Sequence, residues 1–118
     1  MSTICRVTSN DFATEVVQSS VPVLVDFYAD WCGPCRMLTP ALEGLAREYS
    51  GRVKIVKVNV DEEPALARHF RVHRIPMLLT FSGGQVVDTL IGIGSPGQLK
   101  QVLTRLAGSA EQSAARVG

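Results

Sequence analysis

Two segments rich in apolar and β-branched residues, 21–29 and 53–60, constrain the fold of this chain most strongly. Each has the pattern of a strand that is covered on both faces. Segment 21–29 is also far shorter than the roughly 20 apolar residues that a membrane-spanning helix needs. Because such strands need helices on both sides of the sheet, the pattern predicts an α/β fold with segment 21–29 as the central strand.

The remaining elements follow from helical spacing and turn residues. Pro34 suits the first turn of a helix, and Pro40 is expected to kink that helix. Two glycines, Gly83 and Gly84, separate two short apolar runs, as in a β-hairpin. Helices are expected over residues 10–19, 34–49, 61–70 and 95–106, and the hairpin strands over residues 77–81 and 86–91. Together these elements predict a mixed sheet with helices on both faces.

The chain is long enough for a single domain, with 118 residues of which 46% are hydrophobic. This composition excludes a disordered protein. Residues 1–107 are expected to form the domain. Residues 108–118 are mostly small or polar, so they are expected to form a flexible tail.

Charge and the N-terminal segment bear on partners and location. Twelve Lys and Arg residues nearly cancel 11 Asp and Glu residues, which argues against nucleic acid or an acidic membrane as a partner. Residues 1–6 lack a basic stretch followed by a long apolar run, so no secretory signal is predicted. We therefore expect a cytoplasmic, monomeric protein.

Cys32 and Cys35 lie where the predicted central strand ends and a helix begins. A zinc site usually needs a second ligand pair at similar spacing, and the sequence has none, so no metal is expected. A structural disulfide is also a poor explanation, because closing so short a loop stabilises by only about 2 kcal/mol. The spacing instead favours redox chemistry.

The helix N-terminus explains how the pair would work. Backbone N–H groups and the helix dipole favour a thiolate there, so Cys32 is the predicted nucleophile. Cys35 lies one turn further on and is expected to be more buried, which suits a resolving thiol. Gly33 would allow a partner's backbone to approach, and Pro34 would stiffen the loop.

Asp26 interrupts the apolar central strand. A carboxylate in this position is either solvated at the strand end or buried with a raised pKa, and the residues alone leave both open. If it is buried, Asp26 would exchange protons with Cys35 while Lys57 on the neighbouring strand moderates its charge.

Other residues near the pair also have two interpretations. The Ile75–Pro76 bond is either cis, as in some tight turns, or the commoner trans. Trp31 is either a core aromatic or a shield for the neighbouring sulfur, and Gly92 is either a turn residue or part of a peptide groove. Cys5 is expected to be an inert strand thiol.

Four segments in this order and spacing resemble the thioredoxin family, and the resemblance spans roughly residues 4–107. They are residues 27–36 (FYADWCGPCR), 57–61 (KVNVD), 75–76 (IP) and 81–84 (FSGG). The resemblance implies a five-stranded mixed sheet flanked by four helices, a cis Pro76, a buried Asp26 and a reversible Cys32–Cys35 disulfide. It also implies that substrates dock on Trp31, Ile75, Pro76 and Gly92.

The resemblance further implies a protein-disulfide reductase without a bound cofactor, which receives electrons from NADPH through thioredoxin reductase. Its expected partners include ribonucleotide reductase, peroxiredoxins and methionine sulfoxide reductases. A module of the same fold that only binds partners is the alternative, but the intact cysteine motif favours the enzyme.

Three residues differ from those commonest in the family. Tyr28 stands where Trp is usual, Arg74 where Gly is frequent, and Met77 where Thr is frequent. Arg74 adds a cation beside the docking loop, so we expect a preference for partners with an acidic rim.

Overall fold

A computed structural model describes residues 4–92 and 96–117, with side chains for residues 4–92 and 97–108. Within these residues the chain forms a five-stranded sheet, three α-helices and one π-helical turn. The strands are β1 (Cys5–Arg6), β2 (Val23–Tyr28), β3 (Lys54–Asn59), β4 (Met77–Ser82) and β5 (Gln85–Ile91). The π-helical turn is Ala13–Val17, and the helices are α1 (Gly33–Glu48), α2 (Pro64–His69) and α3 (Pro96–Val117).

The sheet is mixed and has the order β1-β3-β2-β4-β5, so the predicted central strand is central. Strands β1, β3 and β2 run parallel, while β4 is antiparallel to both β2 and β5. Asp26 pairs with Lys57 on one side and with Leu78 on the other. The parallel pairing brings the ends of β2 and β3 to one edge, where α1 begins.

Helical segments cover both faces of the sheet, as predicted. Leu24 of β2 packs with α1 and α3, in a cluster that includes Leu42 and Leu103. Alternate residues of the same strand, such as Val25, pack with Phe12 and Phe70 beside the π-helical turn and α2. This alternation is what a strand covered on both sides requires.

The α2 helix begins later than predicted. The side chain of Asn59 accepts hydrogen bonds from the backbone N–H groups of Asp61 at 2.9 Å and Glu62 at 3.2 Å. These bonds hold a turn after β3, so Asp61 and Glu62 lie before the helix and Glu63 is its N-cap residue. Pro64 occupies its first turn, where a missing N–H costs nothing.

The first and last helices also differ from the prediction. Only one π-helical turn forms near the N-terminus, and Asp11 accepts a hydrogen bond from the Thr8 N–H at 2.7 Å just before it. The α3 helix continues beyond Leu106 to Val117, because the added segment has four alanines among its 11 residues and no proline. The predicted mobility of residues 108–118 stays a prediction. No helix in the described ranges is long and apolar enough to cross a membrane.

Candidate active site

Cys32 caps the N-terminus of α1. Its backbone is extended, with φ −85° and ψ 106°, and its sulfur accepts a hydrogen bond from the Cys35 N–H at 3.2 Å. Pro34 lies in the first turn, as predicted. Cys32 and Cys35 form a disulfide whose Cα atoms are 5.3 Å apart. The N-cap position therefore gives the Cys32 sulfur a backbone donor and the positive end of the helix.

The two cysteines differ in surroundings and not in exposure. Cys32 is 4% exposed and Cys35 is 3% exposed, so the expected larger burial of Cys35 is not seen. The loop that carries Ile75 covers Cys32, whose sulfur lies 3.9 Å from the Ile75 carbonyl oxygen. This contact joins residues 43 positions apart, which helical spacing within α1 could not reveal.

Trp31 lies at the surface beside the disulfide. Its side chain is 68% exposed, and its indole Nε1–H donates to Asp61 Oδ2 at 2.8 Å. The core-aromatic interpretation is therefore wrong. Asp61 is a residue that the sequence analysis did not assign to the site. Its position two residues after β3, at the edge where β2 also ends, was the available signal.

The cis-proline loop completes the surroundings of Cys32. The Ile75–Pro76 peptide bond is cis, in agreement with the family resemblance. Ile75 is half-buried and packs against the cysteines, whereas Pro76 itself is buried. The Gly92 N–H donates to the Pro76 carbonyl at 3.3 Å, and Gly92 has φ +67° with no atom of the described residues outside its chain neighbours within 4 Å of where a Cβ would lie. Ile91, 56% exposed and paired across the hairpin with Met77, adds apolar surface that the sequence analysis missed.

Asp26 is buried, so the solvated interpretation is wrong. It is 4% exposed, and its Oδ1 has no hydrogen-bond partner among the described residues. Loss of hydration raises the pKa of Asp26 to about 7, and the charge of Lys57 opposes this rise. The raised value places the titration of this carboxyl near neutral pH.

A cavity of about 300 Å³ joins Asp26 to Cys35. Lys57 and Thr39 also line it, whereas Cys32 does not. The cavity has room for several water molecules, since each molecule needs only about 15 Å³ of cavity volume. A water-filled path between the carboxyl group and the Cys35 sulfur is therefore geometrically feasible.

Tyr28 forms part of the cavity wall and is held by residues from two other strands. Its hydroxyl accepts a hydrogen bond from Arg6 Nε at 2.8 Å, and Lys57 Nζ lies 5.5 Å from the ring centroid. Arg6 also pairs with Glu62 at 3.3 Å. Cys5, the remaining cysteine, is an exposed free thiol of edge strand β1, and its inertness stays a prediction.

Comparison with known proteins gives one consistent family. The family model described as thioredoxin matches residues 3–105. Thioredoxin 1 of Nostoc sp. is 47% identical over 105 residues, which cover 89% of this chain and 98% of that protein. Thioredoxin 1 of Synechococcus elongatus is 51% identical over 92 residues, which cover 78% of this chain and 86% of that protein. The thioredoxin of Haemophilus influenzae is 45% identical over 105 residues, with coverages of 89% and 98%.

Proposed function

The chain belongs to the thioredoxin family and is a thiol–disulfide oxidoreductase that reduces protein disulfides, and from this premise we propose how its residues divide the reaction. One observation carries the proposal: the Cys32 sulfur sits at the N-cap of α1 and accepts the Cys35 N–H. A thiolate at this position is stabilised by the backbone donor and the helix dipole.

In the first step the Cys32 thiolate attacks one sulfur of a protein disulfide. A mixed disulfide forms between Cys32 and that sulfur, and the partner's other sulfur leaves as a thiolate. In the second step Cys35 loses its proton and attacks the Cys32 sulfur. The Cys32–Cys35 disulfide forms, the second partner sulfur leaves as a thiolate, and the partner has gained two electrons.

Asp26 accepts the proton that Cys35 must lose. The two groups line one cavity, and a pKa of about 7 lets the carboxyl bind and release a proton near neutral pH. Lys57 limits how far burial raises that pKa, because its positive charge favours the carboxylate. Both residues act on Cys35 and not on the attacking sulfur.

The partner docks over the edge formed by Trp31, Ile75 and Gly92. The buried Pro76 fixes the backbone of the loop that carries Ile75. Trp31 offers the largest exposed apolar surface beside Cys32, and Asp61 holds its indole. Gly33 leaves the approach open, since nothing lies within 4 Å of where its Cβ would be. Pro34 limits the motion of the same loop.

Electrons come from NADPH through thioredoxin reductase, and the protein binds no cofactor of its own. The partners are cytoplasmic disulfide proteins such as ribonucleotide reductase, peroxiredoxins and methionine sulfoxide reductases. The protein acts as a monomer, because one Cys32–Cys35 pair is sufficient to reduce each partner in turn.

Reduction of insulin by dithiothreitol tests the proposal. The protein should accelerate the precipitation of the freed insulin chains, and Cys32→Ser should abolish the acceleration. The rate with Arg47→Gln, a change of an exposed residue near the far end of α1, should match that of the unchanged protein. No acceleration by the unchanged protein, compared with dithiothreitol alone, would instead indicate a module that only binds its partners.

A further inference from the structure

Residues 68–74 (RHFRVHR), which we call the basic segment, concentrate positive charge next to the active site. Three arginines and two histidines occupy five of these seven positions, and no acidic residue lies between Glu63 and Asp88. All five of these cationic or titratable side chains are exposed. The chain as a whole carries a net charge of only +1, so this surface differs sharply from the average.

Packing fixes the direction in which the basic segment faces. Phe70 and Val72 pack into the core cluster beneath α2, and Ile75 packs against the cysteines. The intervening arginine side chains consequently point away from the core. Arg74 directly precedes Ile75, whose carbonyl lies 3.9 Å from the Cys32 sulfur. The Cα atom of Arg71 lies no more than about 11 Å from that of Arg74.

The backbone of Arg71 has an unfavourable conformation. Its φ is +54°, a left-handed value that glycine adopts at lower cost. It lies where α2 ends, and the Val72 N–H closes the turn onto the Ala67 carbonyl at 2.9 Å. Because glycine would adopt this conformation at lower cost, an arginine here indicates that its charge serves binding and not folding.

The charges of the basic segment have no ion-pair partner among the described side chains. The ion pairs found among the described residues include none of Arg68, Arg71 and Arg74. On the Trp31 side, by contrast, Asp30 and Glu62 both pair with Arg6. Arg6 offsets only one of these two negative charges and Asp61 adds another, so the Trp31 side is acidic, whereas the positive charge of Arg71 and Arg74 lies on the Ile75 side.

We propose that the basic segment is a docking surface for acidic protein partners, whose carboxylates lie beside the disulfide that Cys32 attacks. The inference rests on the proposed function, in which the partner docks over the Ile75 loop. Arg71 and Arg74 would attract carboxylates during the encounter and set the partner's position before sulfur exchange. Partners with lysines at the same place would be reduced more slowly.

Three peptides of equal length test this surface. Each contains one internal disulfide, and they differ only in the flanking residues, which are Glu, Gln or Lys. The second-order rate constant for reduction by the reduced protein is measured at about 0.02 M and about 0.5 M salt. We expect the Glu peptide to react about fivefold faster than the Lys peptide at low salt, and the ratio to approach one at high salt.

Two double variants show which arginines cause the preference for the Glu peptide. Arg71→Gly with Arg74→Gln should abolish most of the preference, and glycine suits the backbone at position 71, so the variant should fold. Arg47→Gln with Arg52→Gln removes the same charge near the end of α1, about 20 Å along the helix from Cys32, and should keep the preference. Equal rates for all three peptides, or equal losses in both double variants, would overturn the docking surface. Failure to reduce even the Gln peptide would count against the proposed function instead.

Discussion

At the residue scale, Asp26 couples stability to pH. In the folded protein its pKa is about 7, whereas an unburied aspartate titrates near 3.8. Between these values the folded protein binds one proton more than the unfolded chain, so the free energy of unfolding falls as pH rises. One pKa unit corresponds to roughly 1.4 kcal/mol, so we expect the titration of Asp26 to lower the free energy of unfolding by up to about 4 kcal/mol between pH 4 and pH 8.

Urea unfolding of the oxidised protein and of Asp26→Asn over that pH range measures the effect. The variant cannot ionise at position 26, so its stability advantage should be small near pH 4 and largest above pH 7. Taking the difference between the two proteins cancels the titration of all other groups. Parallel stability curves would show that the carboxyl is solvated.

The hydroxyl oxygen of Thr80 is a second buried polar atom that lacks a hydrogen bond among the described residues. The residue has no exposed surface, and its Oγ1 has no hydrogen-bond partner among the described residues. Thr80→Val keeps the shape and removes the hydroxyl, so we expect the free energy of unfolding to rise by about 1 kcal/mol. Thr89→Val, at an exposed position of β5, is the matched control and should change it by less than about 0.5 kcal/mol. A loss of stability in Thr80→Val would indicate a hydrogen bond that stabilises the hydroxyl.

At the element scale, the hairpin turn contacts the π-helical turn. Gly83 and Gly84 both have positive φ, at +60° and +80°. A Cβ at Gly84 would lie 2.9 Å from the Val17 carbonyl oxygen, while one at Gly83 would meet nothing within 4 Å. We expect Gly83→Ala to lower the free energy of unfolding by about 1 kcal/mol through strain alone, and Gly84→Ala by at least about 2 kcal/mol. Denaturant unfolding compares the two, and equal losses would exclude the contact.

Local patterns predicted the elements better than their ends. The strand cores and their covering on both faces follow from β-branched, apolar composition, and the structure confirms them. The predicted start of α2 was wrong, because the side chain of Asn59 accepts hydrogen bonds from the N–H groups of Asp61 and Glu62 and holds a turn there. The end of α3 was wrong because helix-forming residues extend it without large apolar side chains.

The active site was predictable where its contacts are local. Three-residue spacing on a helix puts Cys32 beside Cys35, and parallel neighbouring strands put Asp26 beside Lys57. The partner of Trp31 lies 30 residues away at Asp61, so only the folded sheet brings them together. The burial of Asp26 likewise depends on which residues cover the strand end, and a strand pattern alone does not contain that information.

At the scale of the whole molecule, the core clusters found among the described side chains end at Ala107. The members of both main core clusters lie between Ile4 and Ala107. Residues 109–118 contain one large apolar side chain, that of Val117, so their removal is expected to change the free energy of unfolding by less than about 1 kcal/mol and to leave insulin reduction intact. Thermal unfolding and the insulin assay on the shortened chain check this. A large loss in either would place these residues in the folded unit.

The two cysteines divide the reaction, since Cys32 attacks the partner and Cys35 resolves the mixed disulfide. Mass spectrometry of the covalent adduct with a disulfide peptide tests this division directly, with Cys5→Ser in every protein so that the exposed third thiol cannot react. Cys35→Ser should accumulate a mixed disulfide at Cys32, because no thiol remains to resolve it, and Cys32→Ser should accumulate almost none. An adduct that forms at Cys35 as fast as at Cys32 would contradict the assignment of the nucleophile.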